Sequence, residues 1–417
     1  MATLFTNIGV LVNVRDTYSL LRGEALAELP CINNAYLVIE EGVISSYGSM
    51  EDLARSPEDF DDHYDATGRC VLPAWCDSHT HLVFAGSREE EFVDKIRGLS
   101  YAEIAARGGG ILNSARRLNA TPEEDLFQQS YRRLKEVMRM GTGAIEIKSG
   151  YGLTVEGELK MLRVIQRLKS LTKIPIKATF LGAHSVPTEY KDNKEGYIDL
   201  VINEMLPIIG GERLADYIDV FCEEGFYTPE ETEKILAAGK EYGLKPKIHA
   251  NQLAVSGGVQ AGINAGAVSV DHLEHVDEEA IHALAGSNTI GTLLPTAAFF
   301  LRMPYQPARA LVDSGCAIAL ASDFNPGSSP SGNMNFVVSL SCIQMRLLPE
   351  EAINAATLNG ACAMELQDTV GSITKGKMAN LVVTKPVPSL AYLPYAFGHN
   401  LVERVMIAGE WVEQEAT

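Results

Sequence analysis

The chain has 417 residues, 46% of them hydrophobic and 21% charged. That length fits a barrel of about 250–300 residues with a smaller companion, and the composition excludes disordered, collagenous and low-complexity chains. Lys and Arg number 35 against 54 Asp and Glu, a net charge of −19 that argues against nucleic-acid and membrane partners. A small anionic substrate is admissible only where local positive charge overrides that field; if the field reaches the site, added salt lowers KM.

The seven cysteines are odd in number and form no C-x-x-C pair, so they read as small apolar residues and not as a disulfide framework. The start, Met1 to Phe5, has no basic region ahead of an apolar one, so no signal peptide is expected. The longest apolar stretch, residues 290–301, is interrupted by Pro295 and is shorter than the ~20 residues of a membrane span. A cytoplasmic location is expected.

In chain order, residues 4–14, 35–39 and 43–47 read as strands, with Glu40-Glu41-Gly42 as a hairpin turn between the last two. Eight apolar runs of strand length follow: 77–84, 144–148, 176–184, 217–222, 246–249, 267–272, 289–295 and 317–323. Helical stretches separate them, the pattern of repeated βα units. Thr121-Pro122-Glu123-Glu124 and Thr228-Pro229-Glu230-Glu231 both read as helix starts with a capping threonine and proline at the first helical position. The first gap is longer and holds Gly108-Gly109-Gly110, a candidate lid. Strands return at 380–384, 402–408 and 411–412, with a turn at Gly409. Neither end carries enough strands to bury its own apolar face. The expected fold is therefore α/β: a (β/α)₈ TIM barrel over residues 71–370, with a small β-sandwich-like domain assembled from 1–70 and 371–417.

Chemistry in such barrels sits at the C-terminal strand ends. The first run contains Asp77-Ser78-His79-Thr80-His81, and residues two apart on a strand share a face, so both imidazoles can reach one cation. Alone, His-x-His reads more readily as a hydrogen-bonded pair near a loop. His249 closes the fifth run, His272 the sixth and Asp323 the eighth. Alternation along Val268-Val270-His272 and Ala319-Ala321-Asp323 would aim both side chains inward. Four imidazoles and a carboxylate from four strand ends form a metal constellation suited to Zn²⁺, with Fe²⁺ also admissible.

These residues, framed by a split terminal sheet, resemble the amidohydrolase superfamily. The segments SHTHLVFAGSREEEF (78–92), GGGI (108–111), EIKSGYGL (146–153), FLGAHSVP (180–187), DHLEH (271–275) and SDFNPG (322–327) together resemble the imidazolonepropionase family over nearly the whole chain. The resemblance implies one divalent metal ion per subunit, Zn or Fe, held by His79, His81, His249 and Asp323. It implies hydrolysis of the cyclic amide of 4-imidazolone-5-propanoate to N-formimidoyl-L-glutamate in histidine degradation, and a homodimer. Relatives with two metals carry a modified lysine at the end of strand four; here Phe221-Cys222-Glu223 has none, which agrees with one metal. Lys148 reads as an ion pair with Glu146.

On that resemblance Asp323 moves the proton from water to the leaving nitrogen, and His272 polarises the carbonyl. Arg88 holds the propionate, since its planar fork suits a carboxylate. Tyr151, His184, Asn325, Gly327 and Ser328 carry over as substrate ligands. Members of the family commonly carry an acidic residue in the segment Ala250-Asn251-Gln252, sometimes at the position of Gln252; neither Asn251 nor Gln252 can take a proton, which leaves Gln252 to orient the water or bond the ring. Other readings stay open: Arg88 as a solvated charge in Ser87-Arg88-Glu89-Glu90-Glu91, Tyr151 as packing, His184 as a core histidine. The rivals are a ring aminohydrolase, which needs a Glu near Gln252 to protonate ammonia, and a non-catalytic scaffold, which would lose metal ligands.

Overall fold

A computed structural model describes residues 2–99 and 109–413. Two eight-stranded sheets organise it. The barrel sheet runs in chain order through β6 (Trp75–Thr80), β7 (Thr142–Lys148), β8 (Ile176–Ala183), β9 (Tyr217–Cys222), β10 (Lys245–Ala250), β11 (Ser269–His272), β12 (Ile290–Leu293) and β13 (Ile318–Leu320). Neighbouring strands are parallel, and β7 and β9 are buried along their whole length, as strands enclosed on both faces must be. Each of the eight apolar runs overlaps one of these strands. The ring is laced shut just beyond the strands. Asp323 N–H donates to His79 O at 3.0 Å, and His81 N–H donates to Phe324 O at 2.9 Å. The backbone therefore brings three candidate ligands together before any side chain acts.

The terminal sheet combines β1 (Ala2–Val12), β2 (Cys31–Glu40), β3 (Val43–Ser49), β4 (Asp62–Asp65) and β5 (Cys70–Pro73) with β14 (Leu381–Thr384), β15 (Val402–Ile407) and β16 (Glu410–Trp411). Its order is β16-β15-β14-β5-β1-β2-β3, and β1 also takes β4 alongside Thr3–Thr6. The sheet curls until its far regions meet: the Trp411 ring lies 5.6 Å from Phe5 and 5.4 Å from Tyr64. That closure buries Phe5, Ile8, Leu37, Val71, Leu381 and Met406 in a core of their own. The β2–β3 turn places Glu41 and Gly42 at φ 54° and 82°, the left-handed pair that a two-residue hairpin turn requires.

A single residue, Ala74, joins β5 to β6, so the sheet is anchored to the strand that presents His79. Asn380 fastens this joint: its O accepts from Ala74 N at 2.9 Å and its Nδ2 donates to Gly143 O at 2.6 Å. Of the two expected caps, one forms. Thr228 Oγ1 accepts from Glu231 N at 3.3 Å and Glu231 Oε2 accepts from Thr228 N at 2.8 Å, a complete capping box on the helix Pro229–Glu241. Thr121 does not cap. It ends the helix Ile111–Ala120, where its hydroxyl donates to Arg117 O, and the next helix starts at Glu123 behind Pro122.

Candidate active site

The strand ends converge at the barrel's C-terminal rim. Ring nitrogens of His79, His81 and His249 lie within 4.8 Å of one another, as do the donor atoms of His79, His272 and Asp323. His249 Nε2 is 3.4 Å from His81 Nε2, and Asp323 Oδ1 is 3.6 Å from Nε2 of both His79 and His81. All five side chains are buried. His79 Nε2 has no hydrogen-bond partner, although a buried nitrogen ordinarily finds one. An orphaned imidazole nitrogen beside two further imidazoles and a carboxylate is what a divalent cation's donor set requires, so the residues present fit such an ion.

A layer of charge lies beneath. Asp271 Oδ2 is 2.6 Å from His79 Nδ1, and Asp219 Oδ2 is 3.0 Å from His249 Nδ1. The hydrogen bond to Asp271 fixes the His79 tautomer that leaves Nε2 free to act as a ligand, and Asp219 stands behind the His249 ring in the corresponding position. Lys148 Nζ donates to Glu146 Oε1 at 2.7 Å and to Asp219 Oδ2 at 2.8 Å, and lies 3.5 Å from Asp271 Oδ2. Lys247 pairs with the other oxygen of Glu146. Burial works against the Lys148 ammonium, but Asp219, Glu146 and Asp271 outweigh it and raise its pKa. Two ammoniums against three carboxylates leave the layer one charge negative, complementary to a cation above it.

The expected Lys148–Glu146 pair is thus present, and the backing carboxylates are what sequence reasoning missed. Asp271 was hidden by the assumed phase of its strand. A Cβ on Gly262 would come within 2.4 Å of Val270 Cγ1, so Val270 faces the helix Gly258–Ala265 and not the barrel interior. Ser269 and Asp271 take the inward positions, joined at 2.6 Å. His272 reaches the site because the backbone leaves the β region there, at φ 91°, and Asp323 does likewise at φ 52°. Such conformations are costly for non-glycine residues and cluster at functional sites. A carboxylate inside an otherwise apolar run, as in Tyr217-Ile218-Asp219-Val220, was the signal available for Asp219.

A cavity of about 580 Å³ opens over these residues, lined by His81, Arg88, Tyr151, His184, His249, Gln252, His272, Asp323, Asn325, Gly327 and Ser328. Of the expected site residues only His79 is absent from its wall, being fully buried. Arg88 is no solvated charge: its Nε and Nη2 donate to Glu91 Oε2 at 2.8 and 2.6 Å. Its Nη1 occupies the space a side chain on Gly327 would fill, 2.2 Å from a Cβ built there. His184 Nδ1 donates to Gly150 O at 3.0 Å while its ring stacks on His81. Burial, with His249 nearby, lowers the His184 pKa to about 3, so the ring is neutral. The Tyr151 ring sits 5.8 Å from His81 and 5.4 Å from His184.

The loop after β13 folds on Asn325, whose Nδ2 donates to Asp323 O and Ser328 Oγ while Oδ1 accepts from Gly327 N and Ser328 N. Ser328 Oγ in turn donates to Asp323 Oδ2 at 3.0 Å, steadying that carboxylate. Glu223 is engaged by backbone: its Oε2 accepts from Gln252 N at 2.7 Å and Leu253 N at 2.9 Å. The Gln252 side-chain amide makes no hydrogen bond among the described residues, and Gln252 lines the cavity. His272 Nδ1 lies 3.4 Å from Glu274 Oε1. Burial alone would lower the His272 pKa; Glu274, Asp323 and Asp271 raise it to about 8. Of the candidate lid glycines, Gly108 lies outside the described residues, and Gly110 N donates to Glu91 Oε1 at the head of the helix Ile111–Ala120.

A model of the amidohydrolase family matches residues 70–412. The chain is 60% identical to the imidazolonepropionase of Flavobacterium johnsoniae over 98% of its own length and 100% of that protein's. It is 55% identical to the imidazolonepropionase of Christiangramia forsetii over 99% and 100%. Among solved structures, E. coli guanine deaminase superposes with a TM-score of 0.75 over the whole of both chains at 16% identity, a likeness of fold alone. No helix of the described residues is long and apolar enough to cross a membrane.

Proposed function

The chain belongs to the amidohydrolase family and, within it, to the imidazolonepropionases, and we infer that it opens the ring of 4-imidazolone-5-propanoate by hydrolysis, giving N-formimidoyl-L-glutamate in histidine degradation. The relatives at 55–60% identity support the substrate. The observation that carries the chemistry is the buried, unpartnered Nε2 of His79 beside His81, His249 and Asp323. These four residues would hold the cation, and imidazole nitrogens with one carboxylate oxygen support Zn²⁺ or Fe²⁺. A divalent ion there would supply hydrolysis with its nucleophile by lowering the pKa of water toward neutrality.

The chain's own residues account for the rest. The water oxygen joins the carbonyl carbon, the bond from that carbon to the ring nitrogen breaks, and the nitrogen takes a proton. Asp323 is the proposed carrier of that proton: Oδ1 faces the imidazoles while Ser328 holds Oδ2. His272, whose pKa the neighbouring Glu274 raises, faces the carbonyl oxygen and donates toward it as negative charge develops there. Gln252 offers the ring an amide that no protein group occupies. Arg88 receives the propionate, and Tyr151 and the neutral His184 flank the ring. Gly327, Ser328 and Asn325 line the same wall, with Gly327 admitting Arg88 and Asn325 shaping the loop. The absence of an acid at Gln252 counts against ring deamination, which must protonate departing ammonia.

The test is turnover of 4-imidazolone-5-propanoate by the metal-loaded protein, with product and ammonia followed separately. Formation of N-formimidoyl-L-glutamate without ammonia is expected. Ammonia release with the ring intact would transfer the protein to the ring aminohydrolases.

A further inference from the structure

The pocket wall carries a cation to which no role has yet been given. Lys95 stands on the helix Glu89–Ile96, two turns beyond Arg88 and so on the same side of it. Its Nζ donates to Gly327 O at 3.1 Å. Arg88 Nη1 packs against the same glycine, so an ammonium and a guanidinium converge on one loop residue. Both line the cavity above the imidazoles, beside Phe300 and Ile96. Lys95 makes no ion pair among the described residues, and burial together with the nearby Arg88 lowers its pKa.

Arg88, by contrast, is already paired. Glu91 takes its Nε and Nη2, the edge best suited to a carboxylate, and as a unit the two are neutral. A propionate seated against that unit alone would be a desolvated charge among apolar side chains with no counter-charge, an unfavourable arrangement. Lys95 changes the balance: Arg88 and Lys95 against Glu91 leave one positive charge, which matches one carboxylate. An ammonium has three donors, and Gly327 O occupies one. We propose that Lys95 binds the substrate's propionate together with Arg88 Nη1, and that this pair selects substrates with an anionic tail. The inference rests on the substrate assigned above.

The experiment compares metal-loaded wild type, Lys95→Met and Lys95→Arg on 4-imidazolone-5-propanoate and on its neutral propanamide. The readout is the ratio of kcat/KM for the charged over the neutral tail. Loss of a charge-assisted hydrogen bond is expected to lower that ratio about tenfold in Lys95→Met, with most of it restored in Lys95→Arg. A ratio equal to that of wild type overturns the proposal. If wild type opens neither ring, the substrate assignment has failed, and calorimetric titration with glutarate decides the carboxylate site by itself. Binding weakened about tenfold in Lys95→Met supports it, and equal binding rejects it.

Discussion

Lys148 has no contact with water, yet it holds Glu146 and Asp219 at hydrogen-bond distance and approaches Asp271, the carboxylates that orient His249 and His79. Replacing it with methionine leaves Asp219 and Asp271 buried without their cation, whereas Glu146 keeps Lys247. Removing one member of a buried pair costs about 3–5 kcal/mol. Lys148→Met is therefore expected to lower the unfolding free energy of the metal-free protein by about that much, as read from urea denaturation. A change below about 1 kcal/mol would mean that the carboxylates find other compensation. This residue also marks how far the site was legible. The four imidazoles and Asp323 stood out because polar ligands end apolar runs. Asp271 did not, because its strand read one residue out of phase shows the wrong face, and Asp219 did not, because it lies within an apolar run and not at its end. At His272 the positive φ is a tertiary feature that no alternation pattern encodes.

At the level of elements, a local signal was dependable where the chain could satisfy it alone. The motif Thr-Pro-Glu-Glu occurs twice, but only Thr228 caps. Thr121 is claimed first by the preceding helix, whose last turn takes its hydroxyl. Thr228→Ala is expected to destabilise the protein by about 1 kcal/mol, and Thr121→Ala by no more than about 0.5 kcal/mol. Parallel thermal or urea melts of the two variants check this, and equal losses would contradict the assignment. The eight barrel strands were readable because burial on both faces makes each a near-continuous apolar run. β4 was not, since Asp62-His63-Tyr64-Asp65 looks like a loop and becomes a strand only because β1 offers Thr3–Thr6 as a template. β5 was likewise missed: Cys70–Pro73 merges in sequence with β6, and only Ala74 separates them.

For the whole molecule, a net charge of −19 and an anionic substrate stand in tension. Composition alone leads to the expectation that salt, by screening the acidic field, lowers KM. The distribution of charge in the structure reverses this. The formally charged residues lining the cavity are Arg88, Lys95 and Arg302 against Asp323, with histidines otherwise, and Glu91 stands behind Arg88, which still leaves one positive charge in excess. Exposed acids elsewhere on the surface act through a screening length of about 10 Å at 0.1 M salt, while the pocket cations act at contact range and largely out of bulk solvent. Local attraction then exceeds global repulsion, and Arg302, exposed at the cavity wall, is the member most open to screening. Raising ionic strength from about 0.05 to 0.5 M is expected to raise KM for the propanoate about two- to threefold, in steady-state measurements, and to leave KM for the neutral propanamide nearly constant. A KM for the propanoate that falls with salt would show that the acidic surface, and not the cationic pocket, governs the approach of the substrate.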